Sequence, residues 1–241
     1  MCGRYSLTVT KKALARRFEA DEAGAAVHSP RFNIAPGQAA PTVVSGAHGR
    51  RLSAMTWGFP PPGGAARRLI NARIETLPQR AAFRGLLREG RCLVPADGFY
   101  EWRPAVPGEP RRPVRCRLQS RTLFAMAGLW RTGPSGERPC YVIVTTRATG
   151  PLAAVHDRMP VLLPTELEPA WIDPNEPFEP LARKLDGHSP DEALEVYDVN
   201  PAVNRADRDH PACIEPWAGP RQGALPGLSP LAEDQTPDAL A

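Results

Sequence analysis

The chain lacks the local patterns that commonly mark a binding or catalytic site. Its 241 residues contain no G-x-x-x-x-G-K-[ST], no G-x-G-x-x-G and no G-x-S-x-G. A phosphate cradle, a dinucleotide fold and a nucleophile elbow therefore have no support. H-E-x-x-H is absent, and the five histidines (28, 48, 156, 188 and 210) are never paired at helical spacing. The five cysteines are widely spaced, with no C-x-x-C and no Cys/His cluster at metal-ligand spacing, so neither a metal centre nor a disulfide framework is expected, and no cofactor is expected. No apolar stretch approaches the ~18 residues of a membrane span. The opening Met1-Cys2-Gly3-Arg4 has no apolar segment behind a charged one, which predicts a cytoplasmic protein without a signal peptide. Lysine is scarce: of 30 cationic residues only Lys11, Lys12 and Lys184 are not arginine.

What is present fits a globular chain, 42% apolar and 23% charged, with 29 Pro and 20 Gly. That much Pro and Gly disfavours a helix bundle, because Pro removes helical donors and Gly weakens helix interiors. Short β-prone runs recur at 3–7, 42–45, 52–57, 91–94, 98–102, 114–118, 123–129, 141–146, 159–163 and 195–199, separated by turn residues. Helices are expected after Thr10 with Leu14 and Phe18 on one face, from Thr76 through Phe83 and Leu87 to Gly90, near Thr165, and over 181–185. Without regular β-then-α alternation, the expected fold is α+β: one domain around a curved, barrel-like, mostly antiparallel sheet with a few short helices. That domain is expected over 1–217, followed by a disordered, Pro-rich tail over 218–241.

The net charge of +4 conceals a division. Residues 1–150 carry 24 Lys+Arg against 9 Asp+Glu, and residues 151–241 carry 6 against 17, so +15 and −11 sum to +4. The basic excess suggests a polyanion partner. Cys92, Cys116 and Cys140 adjoin apolar β-formers and read as small core residues.

Cys2 differs from them. Removal of Met1 would leave an α-amine and a thiol on one residue. The amine titrates near about 7.7–8.0 and the thiol near about 8.5. An aldehyde meeting that pair can form an imine with the amine and be captured by sulfur as a five-membered thiazolidine. Spacing alone equally allows Cys2 simply to lead into a first strand.

The segments MCGRYSL at 1–7, RFNIAPGQ at 31–38, WG at 57–58, NARIET at 71–76, PADGFYEW at 95–102, VHDRMPV at 155–161 and AVN at 202–204 resemble, in order, the motifs of the SOS response-associated peptidase (SRAP) family. The resemblance implies an SRAP fold and a protein that recognises abasic sites in single-stranded DNA. It also implies covalent crosslinking to the exposed aldehyde through Cys2, shielding the lesion at replication forks and in the nucleoid, with possible lyase and autopeptidase activity. A non-covalent single-stranded DNA-binding module and a cysteine peptidase remain alternatives from other classes, and a monomer is favoured.

By the same resemblance, Glu101 in GFYEW is the essential acid/base and His156 assists ring opening or stabilises the imine. Asn33 is the polar partner of the Cys2 terminus. Arg4, Asn71 and Arg73 face DNA, Trp57 with Phe59 forms an aromatic wedge stacking beside the lesion, and Thr145-Thr146 lines the pocket. Each could instead serve packing or the surface. Phe32, Gly37 and the prolines 60–62 depart from the family pattern.

Overall fold

The computed structural model describes residues 2–22, 28–61, 68–104, 111–133, 138–188 and 193–217; the expected tail over 218–241 lies outside them. In chain order the elements are β1 (Arg4–Leu7), α1 (Lys11–Phe18), β2 (Ala20–Asp21), β3 (Arg31–Ile34), β4 (Ala39–Gly46), β5 (Gly49–Trp57), β6 (Asn71–Arg73), α2 (Ala81–Arg84), α3 (Leu86–Glu89), β7 (Arg91–Ala96), β8 (Gly98–Trp102), β9 (Pro113–Leu118), β10 (Phe124–Arg131), β11 (Cys140–Arg147), β12 (Arg158–Pro160), β13 (Leu162–Leu163), α4 (Glu168–Ile172), α5 (Phe178–Leu185) and β14 (Leu194–Asp198). No helix among the described residues is long and apolar enough to cross a membrane.

The strands form two sheets. The larger follows the order β12-β11-β10-β7-β4-β5-β2, with β13 on β10 and β6 on β11. β5 turns back to meet β11 through Cys140 opposite Thr56 and Tyr141 opposite Trp57, which bends this sheet into a ring-like curve rather than a regular barrel. The second sheet runs β14-β9-β8-β1-β3 and is wholly antiparallel. The α+β reading with a curved, mostly antiparallel sheet and few short helices therefore holds.

Local chemistry explains the elements. Thr10 caps α1 by accepting from the Ala13 N–H, and Leu14 and Phe18 bury on one face, as their four-residue spacing predicts. The helix expected from Thr76 is instead a 3₁₀ turn at Ile74–Thr76 followed by α2 and α3, four residues each, meeting at Gly85. Glycine in mid-helix weakens the single longer helix. Cys92, Cys116 and Cys140 are buried free thiols in the core.

Both faces of the five-stranded sheet are covered. Phe99, Cys116, Tyr5 and Ile34 enter the main core shared with the curved sheet. Tyr100, on the opposite face of β8, packs with Val199, Val203 and Cys213 of the 199–217 segment. β1 is therefore a central strand with β3 on one side and β8 on the other.

A buried carboxylate anchors that strand. Asp97, at the β7–β8 corner, accepts from Ser6 Oγ at 2.6 Å and from the Thr8 N–H and Oγ1 at 2.5 Å each. Arg115 Nη2 donates to it at 2.8 Å. The guanidinium lies against Gly98 so closely that a Cβ there would fall 2.5 Å from Arg115 Nε. Glycine at 98 is thus dictated by close approach. Asp97→Ala would strand the buried Arg115 charge and release β1, an expected loss of about 3–5 kcal/mol readable from the denaturant midpoint. A loss below about 1 kcal/mol would show that the clamp does not hold the strand.

Candidate active site around the amino terminus

The register of β1 determines where Cys2 lies. Arg4 pairs with Tyr100 and Tyr5 with Phe99, so the residues before Arg4 run alongside the end of β8, where Glu101 sits opposite Val114 of β9. Cys2 is 0% and Glu101 2% exposed. From the curved sheet, Asn71 Nδ2 donates to the Cys2 carbonyl at 2.8 Å, while Cys2 Sγ donates to the Arg4 carbonyl at 3.6 Å. Asn71 Oδ1 is buried and has no hydrogen-bond partner.

Electrostatics join a third group to these. Burial pushes the Cys2 thiol well above its ordinary range, the Glu101 charge pushes it further, and the chain's amino terminus opposes both. Burial raises the Glu101 carboxyl to about 7, against the pull of the amino terminus, and Asp157 adds to the rise. His156 is depressed by burial first and by the amino terminus second, with Asp157 and the Arg158 N–H acting in the other direction. Cys2, Glu101 and His156 thus share one charged neighbour and one neighbourhood. At neutral pH it holds a protonated thiol, a carboxyl populated in both states and a neutral imidazole. That combination can move protons in either direction beside a nucleophile.

The remaining expected site residues divide. Asn33 turns its amide to other work: its Oδ1 accepts from Arg4 Nη1 at 2.8 Å, and its Nδ2 donates to the carbonyls of Val203, Arg205 and Arg208. Asn71, rather than Asn33, is the amide on the Cys2 backbone. Arg4 also donates to the carbonyls of Val203 and Asn204, fastening the 199–217 segment. Arg73 is exposed at the end of β6, opposite Thr145 and two residues before exposed Arg147 on the neighbouring strand.

The aromatic wedge is corrected. Trp57 is fully buried, edge-on to Tyr5 at 5.3 Å and stacked with Tyr141 at 6.4 Å, and its indole N–H donates to the Ile70 carbonyl. Phe59 is buried as well, beneath the Arg131 guanidinium. As the last residue of β5, Trp57 pairs with Tyr141 and must point into the core, so neither ring offers a face to a base. Thr145 Oγ1 donates to the Ala72 carbonyl of β6 and Thr146 Oγ1 to Asp186 at the end of α5, so these hydroxyls tie β11 to its neighbours. Sequence reasoning missed Asp97 and the Glu75–Arg158 ion pair at 2.5 Å.

Comparison with known proteins places the chain. The family model described as SOS response associated peptidase (SRAP) matches residues 1–206. The abasic site processing protein YoqW of Bacillus subtilis is 36% identical over 226 residues, covering 89% of this chain and 99% of its own length. The protein of that description from Escherichia coli, YedK, is 30% identical across 71% of this chain and 79% of its own. A solved phage-related protein of Bordetella bronchiseptica superposes with a TM-score of 0.68 at 30% identity, covering 83% of this chain and 94% of its own. A Bacteroides thetaiotaomicron structure superposes at 0.76 and 19% identity, covering 90% and 100%, and shares the fold.

The raised Glu101 carboxyl has a measurable consequence. Its folded value near 7 lies above the unfolded value of about 4.3, so the neutral acid is the form the fold prefers. Its contribution is therefore intact at low pH and lost as pH rises through 7. Glu101→Gln is expected to stabilise the protein at pH 8 by on the order of 3 kcal/mol, at about 1.4 kcal/mol per pH unit, with the gain shrinking as pH falls toward 4. Thermal melts across pH test this; a pH-independent difference would contradict it.

Proposed function

The chain belongs to the SRAP family, and from that membership and the chemistry of its amino terminus we propose that it processes abasic sites in DNA by forming a thiazolidine crosslink through Cys2. The observation that carries the proposal is the buried Glu101 carboxyl, raised to about 7, whose charge acts on the buried Cys2 thiol.

In this reading Met1 is first hydrolysed away, one water entering and methionine leaving, which frees the Cys2 α-amine. The closed sugar of the abasic site opens to its C1′ aldehyde, and the amine adds to that carbon. Loss of water from the adduct gives the imine. Sγ then adds to the imine carbon and the thiol proton ends on nitrogen, closing the five-membered ring. The net change is loss of one water, with no oxidation.

Each step needs a proton moved, and Cys2 and Glu101 are buried. Glu101, populated in both forms near neutrality, can take the ammonium proton and return it to the departing hydroxyl. Because burial keeps the Cys2 thiol protonated, its addition to the imine also needs a base, and Glu101 is that base. Neutral His156 assists ring opening, and Asn71 fixes the Cys2 backbone from which both nucleophiles project. An imine that escapes capture permits strand cleavage by β-elimination, so lyase activity accompanies the reading. Arg4, Arg73 and Arg147 supply cations for phosphates. Single-stranded DNA at replication forks is the proposed partner, and the nucleoid the proposed location.

The test is a single-stranded oligonucleotide with one abasic site, incubated with protein whose intact mass confirms loss of Met1. A denaturation-resistant band is expected, falling by at least about 100-fold in Cys2→Ala, since covalent capture has no substitute nucleophile of this type. Equal bands in wild type and Cys2→Ala overturn the proposal. Salt-sensitive binding without a covalent band would indicate a single-stranded DNA-binding module, and cleavage of an unrelated peptide, lost in Cys2→Ala, a peptidase.

A further inference from the structure

His156 lies in a short turn whose backbone is pinned on both sides. Its N–H donates to the Leu152 carbonyl at 3.0 Å, and the Ala148 N–H donates to the Asp157 carbonyl at 3.0 Å. The next strand, β12, begins at Arg158, and the Arg158 N–H donates to His156 Nδ1 at 2.9 Å. The carboxylate of Asp157 lies 2.9 Å from that same Nδ1.

These two neighbours make opposite demands. An N–H donor requires a lone pair on Nδ1, which puts the proton of a neutral ring on Nε2. A carboxylate requires a proton on Nδ1. One nitrogen cannot serve both. Asp157 is 81% exposed and free to turn to water, whereas Arg158 is held. Its Nη1 donates to Glu75 Oε1 at 2.5 Å, its Nη2 to Glu75 Oε2 at 2.9 Å, and Nη2 also to the Thr145 carbonyl at 2.7 Å. Burial alone would raise the Glu75 carboxyl, yet the paired guanidinium holds it below its ordinary value. Glu75 belongs to the 3₁₀ turn that follows β6, the strand carrying Asn71.

We propose that Glu75 is a positioning residue for His156: its two-pronged hold on Arg158 keeps the Arg158 backbone N–H on Nδ1, so that the neutral imidazole offers Nε2–H to the site. The inference rests on the reading above in which His156 serves the Cys2 chemistry, and it assigns the ring a direction. An Nε2–H can donate to the sugar oxygen freed on ring opening. If Arg158 slides, Asp157 takes the proton at Nδ1 and Nε2 becomes an acceptor. The charges that act on the ring are those of the chain's amino terminus, Asp157 and Arg111, with the Arg158 guanidinium already paired with Glu75.

The tautomer can be read directly, without DNA, from the ring-nitrogen shifts of the ¹⁵N-histidine-labelled protein. Wild type is expected to show Nε2–H at His156, and Glu75→Ala a shift toward Nδ1–H. Glu75→Gln, which keeps one acceptor for Arg158, should lie between them and carries the test should the alanine variant not fold. Single-turnover crosslinking at saturating DNA should fall at least about tenfold in Glu75→Ala, because a positioned acid–base group contributes about 100-fold or more. The acidic limb of the pH–rate profile should move, while DNA affinity stays within about twofold, a merely structural loss being expected to weaken both together. An unmoved tautomer in both variants, with normal wild-type crosslinking, overturns the positioning role alone. A shifted tautomer in a protein that forms no crosslink sinks the proposed chemistry and leaves the positioning role standing.

Discussion

The arrangement depends on one buried carboxylate. Asp97 collects donors from Ser6, from Thr8 twice and from Arg115, and those contacts fix the sliding coordinate of β1 against β8. Strand register has a period of two, so a slip of one residue would exchange the faces of the strand. It would carry Arg4 into the core and Tyr5 out of it. With the register fixed, the start of the chain can only lie beside the end of β8, next to Glu101. A terminal strand is ordinarily the first to fray; here it is an interior strand, paired on both sides.

Asp97 and Glu101 lie four residues apart in PADGFYEW and receive opposite treatment. Asp97 meets a guanidinium, two hydroxyls and an N–H and contributes rigidity. Glu101 is buried as deeply, but its surroundings favour the neutral acid. Environment gives one carboxyl a structural place and, in the proposed reaction, leaves the other to proton transfer, as differing surroundings do wherever two acids share a site. Glu75 repeats the first solution with Arg158. The reactive group therefore sits between two ionic clamps, one on each sheet.

The sequence made the strands, the core cysteines and the motif residues Cys2, Glu101 and His156 legible, because alternation and motif order are local properties. Which asparagine meets the Cys2 backbone was not legible. Asn33 lies on β3, the direct neighbour of β1, yet its amide faces the 199–217 segment; Asn71 reaches Cys2 from the other sheet. Only the packing of one sheet on the other distinguishes them. Trp57 misled for a related reason. The run at 52–57 reads as a strand, as it is, but which way its last residue faces depends on the pairing of β5 with Tyr141 of β11. The helix after Thr76 breaks at Gly85, where glycine's cost outweighs the apolar spacing.

The charge division also takes on a different meaning. The +15 of residues 1–150 suggests a polyanion partner, but much of it meets the acidic second part of the same chain. Arg17 pairs with Glu168 at 2.7 Å, Arg103 with Asp198 at 3.0 Å and Arg117 with Glu195 at 2.7 Å, and Arg31 pairs with Asp209. Arg91 and Arg115 are buried. The two parts of the chain thus close on each other, and fewer cations remain for DNA than the count implies. Affinity that rests on phosphate contacts scales with their number and weakens with salt. In the reaction proposed above, the covalent bond at Cys2 removes that dependence once formed. Shallow electrostatics suits a protein that must leave undamaged strands readily, because retention is then decided by the aldehyde.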